Sequence, residues 1–158
     1  MSKLPKGRSK DKSDFLTTAS VGGGYSALTG GFAGFHGSAK EDMFCLKRLL
    51  KKDSTTKLKA LQELEELFTT TLSNEQLEPL AAALVHTFNR LALDNDKRIR
   101  EHLHTVLDLY LKALVLDRQK HEYFVKNHVK RIITFWWFHK FDPVPEVSAV
   151  AHQSFQTL

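Results

Sequence analysis

A single cysteine, Cys45, in 158 residues leaves no partner for an intramolecular disulfide and cannot furnish a Cys-rich zinc module. Glycine disappears after Gly37, and proline after the leader is confined to Pro79, Pro143 and Pro145. No apolar run approaches the ~18 residues of a membrane span, and no apolar h-region follows the basic N-terminus. Apolar/polar alternation of β-branched residues is nearly missing, which argues against a sheet. Without strands, no Gly-rich loop can cradle phosphate at a strand-to-helix turn; Gly22-Gly23-Gly24 reads as linker. These absences point to a reducing compartment, with a cytosolic or nuclear protein as the default.

Leucine at helical spacing dominates after Lys40, so the class expected is all-α. Residues 1–40, rich in Lys, Ser and Gly, cannot bury enough apolar surface to offset their ordering entropy. They read as a flexible basic leader with a Gly-Gly-Phe-Ala-Gly-Phe patch. Its Phe15, Tyr25, Phe32 and Phe35 are sparse stickers for a partner or for the folded domain. Residues 41–158 form the helical domain.

Met43, Leu46 and Leu50 mark a short helix, and Leu58, Leu61, Leu64 and Phe68 the buried stripe of a longer one reaching about Leu72. Asp53 or Ser54 caps the second. Ser73-Asn74-Glu75-Gln76 reads as a capping box, with Leu80, Ala83, Leu84, Phe88 and Leu91 facing inward beyond it. Asp94-Asn95-Asp96 is a turn, followed by the apolar face of Ile99, Leu103, Val106, Leu107, Tyr110, Leu111 and Leu114. After a break near residues 117–119, a helix over residues 121–139 is apolar on two stripes, and such a helix is expected between layers. Consecutive Trp136 and Trp137 stand ~100° apart, so both cannot face the core; Trp136 is the core candidate. Asp142-Pro143-Val144-Pro145 leads into a last helix that buries Val147, Val150, Ala151, Phe155 and Leu158. Paired helices joined by Asp-containing turns near a 40–47 residue period predict a HEAT-like array of about six helices, the start of an α-solenoid. An amphipathic last helix without a polar closing repeat marks the chain as the N-terminal piece of a longer protein.

Catalytic readings find little support. Cys45 in a short amphipathic helix reads as a small semi-buried side chain, and the eight histidines lack ligand spacing, so no metal site is expected. Glu63, Glu65 and Glu66 read as a solvated face. The cations are more informative. The chain carries a net charge of +5, and Lys47, Arg48, Lys51, Lys52, Lys57 and Lys59 crowd one corner, with Lys97, Arg98 and Arg100 at the following turn. Such a surface contacts phosphates without reading sequence. The alternatives are an ordinary charged exterior, Thr55 and Thr56 as caps instead of phosphate donors, and Arg98 and Arg100 bonded to Asp94, Asp96 or a neighbouring repeat.

The corner sequence LLKKDSTTKLKALQELEELF resembles the opening helical segment of the listerin family, in which Lys-Lys-Asp-x-Thr-Thr-Lys-x-Lys-Ala leads into the second helix. GGFAGFHG is similar to a Gly-Phe-x-Gly-Phe patch in that family's N-terminal tail, and LDNDKRIRE to its Leu-Asp-x-Asp-x-Arg-x-Arg-Glu turn. The resemblance implies an elongated HEAT-repeat, RING-type E3 ubiquitin ligase of ribosome-associated quality control that marks stalled nascent chains on large (60S) ribosomal subunits. It implies that the N-terminal domain docks onto the subunit, on rRNA and ribosomal proteins, and onto the factor holding the peptidyl-tRNA. Zinc and the ubiquitin-conjugating enzyme then belong to a C-terminal RING that these residues do not contain, and no cofactor is expected here. The contacts implied are Lys51, Lys52, Asp53, Thr55, Thr56, Lys57, Lys59, Arg98 and Arg100, with Gly31, Phe32, Gly34 and Phe35, in a cytosolic monomer that does not engage membranes. The competing reading is a HEAT-like protein-interaction scaffold that does not bind ribosomes. A third class, a small hydrolase built on Cys45 or the histidines, would need a substrate pocket.

Overall fold

The computed structural model describes residues 40–158 apart from Thr71, and these fall within one compact unit. The patch residues Gly31, Phe32, Gly34 and Phe35 lie outside the described residues. Described residues form α1 (Lys40–Arg48), α2 (Ser54–Thr70), α3 (Asn74–Leu91), α4 (Lys97–Val115), α5 (Arg118–Phe124), a π-helical turn (Val125–Val129), α6 (Lys130–His139) and α7 (Pro145–Thr157), with no strand among them. The chain is thus an all-α helical array.

The helix starts follow local chemistry. Asp53 Oδ2 accepts from the Thr56 backbone N–H at 2.7 Å and from its hydroxyl at 2.6 Å, so Asp53 is the cap that begins α2. Gln76 Oε1 accepts from the Ser73 N–H at 2.8 Å, the reciprocal arm of a capping box. Asp96 accepts from the Arg98 N–H to open α4, and Asp117 from the Lys120 N–H to open α5. Pro145 at the first position of α7 lacks an N–H that would have been unbonded there in any case.

Two layers result. The most extensive contacts run between alternate helices, α2 with α4 and α4 with α7, which form one row; α1, α3 and α5–α6 form the other. Helix α4 is the middle member, and Ile99, Leu103, Val106, Leu107, Tyr110, Leu111 and Leu114 are all buried along it. Each such side chain contributes about 1.5–3 kcal/mol relative to exposure. The Tyr110 hydroxyl donates to the Leu77 carbonyl at 2.6 Å, which ties α4 to α3. Between α4 and α7, buried Asp108 accepts from Gln153 and Thr157.

The helix expected from residue 121 differs in two ways. It is broken by the π-helical turn, and it is not apolar-buried on both sides: Phe124, His128, Ile132, Trp136 and His139 face inward, while Val125 and Phe138 are exposed. Inward residues four apart drift around a 3.6-residue helix, and the wider turn at residues 125–129 takes back part of that drift. The two expected stripes, Val125, Val129, Ile132, Ile133 and Trp136 on one side and Phe124, His128, Phe135 and Phe138 on the other, are therefore each divided between core and solvent. Trp136 is fully buried with its indole N–H on Ser154 at 2.9 Å, whereas Trp137 is half exposed.

Candidate functional site

The cationic corner lies where the α1–α2 turn meets the C-terminus of α3 and the α3–α4 turn. Lys51, Lys52, Asp53 and Thr55 are exposed, and Thr56 and Lys57 are half-buried. Two adjoining grooves open there. One, of about 570 Å³, is lined by Lys52, Ser54, Lys57, Arg90 and the turn from Leu93 to Asp96. Its neighbour, of about 440 Å³, is lined by Leu49, Leu50, Lys51, Lys52, Lys57, Arg90 and Leu91. Lys52, Lys57 and Arg90 border both.

The cations divide into two sets. Lys57 Nζ sits 2.5 Å from Asp94 Oδ2, and both side chains are largely buried. Arg48 pairs with Glu63 across α1 and α2. Arg98 folds back on its own cap, Asp96, at 2.8 Å, and this hydrogen bond holds the Asp96 carboxyl below its ordinary range. Arg100 bonds Asp142 at 2.9 Å and the Asp94 carbonyl at 2.7 Å. These arginines serve the alternative role, bonding turn acids and the next helical pair. By contrast Lys51, Lys52 and Arg90 have no ion-pair partner among the described residues, and Lys59 makes no contact pair but, after Arg48, helps hold the Glu63 carboxyl below its ordinary value.

The paired set has its own use. Lys57–Asp94, the Arg100–Asp94 carbonyl bond and Arg100–Asp142 link the α2 start, the α3–α4 turn and the α6–α7 turn in one chain of contacts. That chain holds the corner rigid and consumes Lys57 and Arg100 as free charge. Thr56 is spent on capping, which also draws the Asp53 carboxyl below its usual value. Thr55 keeps an exposed side chain beside the cap.

Arg90 is the groove residue that the sequence pattern does not single out. A cation in the last turn of α3 reads as a complement to the helix dipole. Only the packing of α1 on α3 brings it beside Lys51 and Lys52. The histidines lie elsewhere: His104 Nε2 meets His139 Nδ1 at 2.7 Å in the core, and His102 Nδ1 meets Glu65 at 2.6 Å. Cys45 is buried, with its thiol 3.4 Å from Glu63 Oε2. The arrangement at the corner suits electrostatic capture of an anion: walls tied by buried ion pairs, unpaired cations from the α1–α2 turn and the end of α3, and solvent access.

Comparison with known proteins agrees with the residue patterns. The family described as "E3 ubiquitin-protein ligase listerin, N-terminal domain" matches residues 38–158. The listerin E3 ubiquitin-protein ligase of Mus musculus is 29% identical over 111 residues, and that of Drosophila melanogaster 32% over 111 residues. That of Gallus gallus is 27% identical over 114 residues. Each alignment covers 70% of this chain and 6% of the relative, so the chain spans a small fraction of their length. No solved structure matches. With the family's N-terminal domain matched over residues 38–158, well beyond half of the sequence, the chain belongs to the listerin family.

Proposed function

We propose that this domain is the docking end of a listerin-type E3 ubiquitin ligase, and that its cationic groove seats on rRNA phosphate of the large (60S) ribosomal subunit. The observation that carries the reading is the groove lined by Lys51, Lys52 and Arg90, which form no ion pair among the described residues, while the acids of the adjoining groove, Asp94 and Asp96, are paired with Lys57 and Arg98. Phosphate contacts of this kind release counterions and position a protein without reading bases. Lys59, exposed one turn further along α2, extends the same field. In this role the domain contributes position and not chemistry. Ubiquitin transfer to stalled nascent chains, in ribosome-associated quality control in the cytosol, belongs to a zinc-bearing RING elsewhere in the full-length protein, and the factor on the peptidyl-tRNA is a second partner.

Co-sedimentation with purified large subunits over a salt series tests this. Binding is expected to fall with a steep log–log salt slope. The combined reversal Lys51→Glu, Lys52→Glu, Lys59→Glu, Arg90→Glu should flatten it by about one unit for each phosphate no longer neutralised. Unchanged sedimentation of that variant removes the electrostatic part. Salt-insensitive capture of a protein, with no enrichment of subunits, favours the scaffold reading instead.

A further inference from the structure

The outer face of the π-helical turn and α6 carries a second surface, made of residues other than those of the corner. Between residues 118 and 141 six cations stand against one carboxylate, Glu122, and Arg118 already pairs with it. Lys126, Lys130 and Arg131 are exposed and have no ion-pair partner among the described residues. One to two turns further on, Trp137, Phe138 and Phe141 are 50%, 65% and 70% exposed. Lys126, Lys130 and Trp137 recur at helical spacing and form one stripe about 15 Å long, and Phe141 follows in the turn after α6, packed on Trp137. The aromatic end is held in place: Trp137 packs edgewise on Phe141 and Phe155, and the Lys140 ammonium sits 4.3 Å from the ring centres of both Trp137 and Phe155. An ordered, exposed aromatic cluster of this size marks an interaction site.

We infer that this face docks an acidic amphipathic peptide segment of a partner protein, its apolar side chains on Trp137, Phe138 and Phe141 and its carboxylates on Lys126, Lys130 and Arg131. Charge selects the occupant. The chain's own leader, with five Lys and Arg against two Asp before Lys40, has the wrong sign, and so does a second copy of this net-cationic chain. A single-stranded nucleic acid needs cations interleaved with free ring faces at each nucleotide. Here the Lys140 ammonium already covers one face of Trp137 and of Phe155, and Trp137 packs edgewise on Phe141, so these rings are engaged within the protein. A peptide with one acidic and one apolar half matches unpaired Lys126, Lys130 and Arg131 followed by exposed Trp137, Phe138 and Phe141.

The chain's two tryptophans supply the readout, since Trp136 is fully buried and Trp137 is not. The probe is a tryptophan-free peptide with Leu and Phe in one half and Asp and Glu in the other. Its addition to the full chain should shift the emission to the blue and protect it from acrylamide, and a shuffled peptide of the same composition should bind about tenfold more weakly. Phe138→Ala with Phe141→Ala, and separately Lys126→Glu with Lys130→Glu, should each weaken binding about tenfold with unchanged helicity and melting temperature. Equal binding of the shuffled peptide, tighter binding of oligouridylate, or emission already shielded in the free chain would each overturn the assignment.

Discussion

Two buried polar side chains show how single residues set the stability of this domain. The Tyr110 hydroxyl is held by the Leu77 carbonyl, and burial pushes its ionisation upward. Tyr110→Phe should cost about 1–2 kcal/mol by stranding that carbonyl, read as a lower urea midpoint with unchanged slope. His104 is driven down to about 3, first by burial and then by the neighbouring His139, which burial also lowers. Both are neutral in the native state near neutrality, and the unfolded chain binds more protons below the ordinary histidine value. Their contribution is therefore complete above pH 6.5 and lost as pH falls below it toward the folded value of His104. His104→Leu should flatten the decline in stability between about pH 6.5 and 5, as measured by denaturant midpoints across pH. His102 has the opposite sign, since the Glu65 hydrogen bond raises it. Its share is present below pH 6.5 and is lost as pH rises through its folded value. None of these partners could be read from spacing: His104 and His139 are 35 positions apart, and His102 and Glu65 are 37 apart.

Elements in this array are locked to one another at their turns. Arg100 and Asp142 are mostly buried, and together they fasten the start of α4 to the turn before α7. Asp142→Asn should therefore cost about 2 kcal/mol, below the full penalty for a deeply buried pair because solvent still reaches the arginine. Calorimetry should show a lower melting temperature, and hydrogen exchange should rise first at the N-terminus of α7. Two of the corner's cations, Lys57 and Lys52, separate in the same way. Lys57→Glu faces Asp94 and should lower both stability and anion binding, whereas Lys52→Glu, on an exposed side chain, should lower binding alone. Much of this was legible locally. The caps at Asp53 and Ser73, the stripe of α4 and the burial of Trp136 but not Trp137 follow from short-range rules, whereas Asp94-Asn95-Asp96 was legible as a turn and its cap at Asp96 was not. The π-helical turn was not, because inward positions four apart fit either a drifting α-helix or one with a wide turn, and packing against neighbours chooses between them.

For the whole molecule, the pattern of leucine stripes and Asp-bearing turns determined an all-α array and, with the corner motif, membership of the listerin family, since period and capping are properties of consecutive residues. The cationic character of the corner was also written there. The tertiary structure decided which charges remain available: it spends Lys57, Arg98 and Arg100 on the protein's own acids and adds Arg90 from the end of another helix. It likewise decided that Phe138 and Trp137 face outward, leaving the aromatic end of α6 beside unpaired lysines. Composition counts charges and rings, but their use depends on which side chains from distant positions lie within a few ångströms, and packing between layers sets those distances.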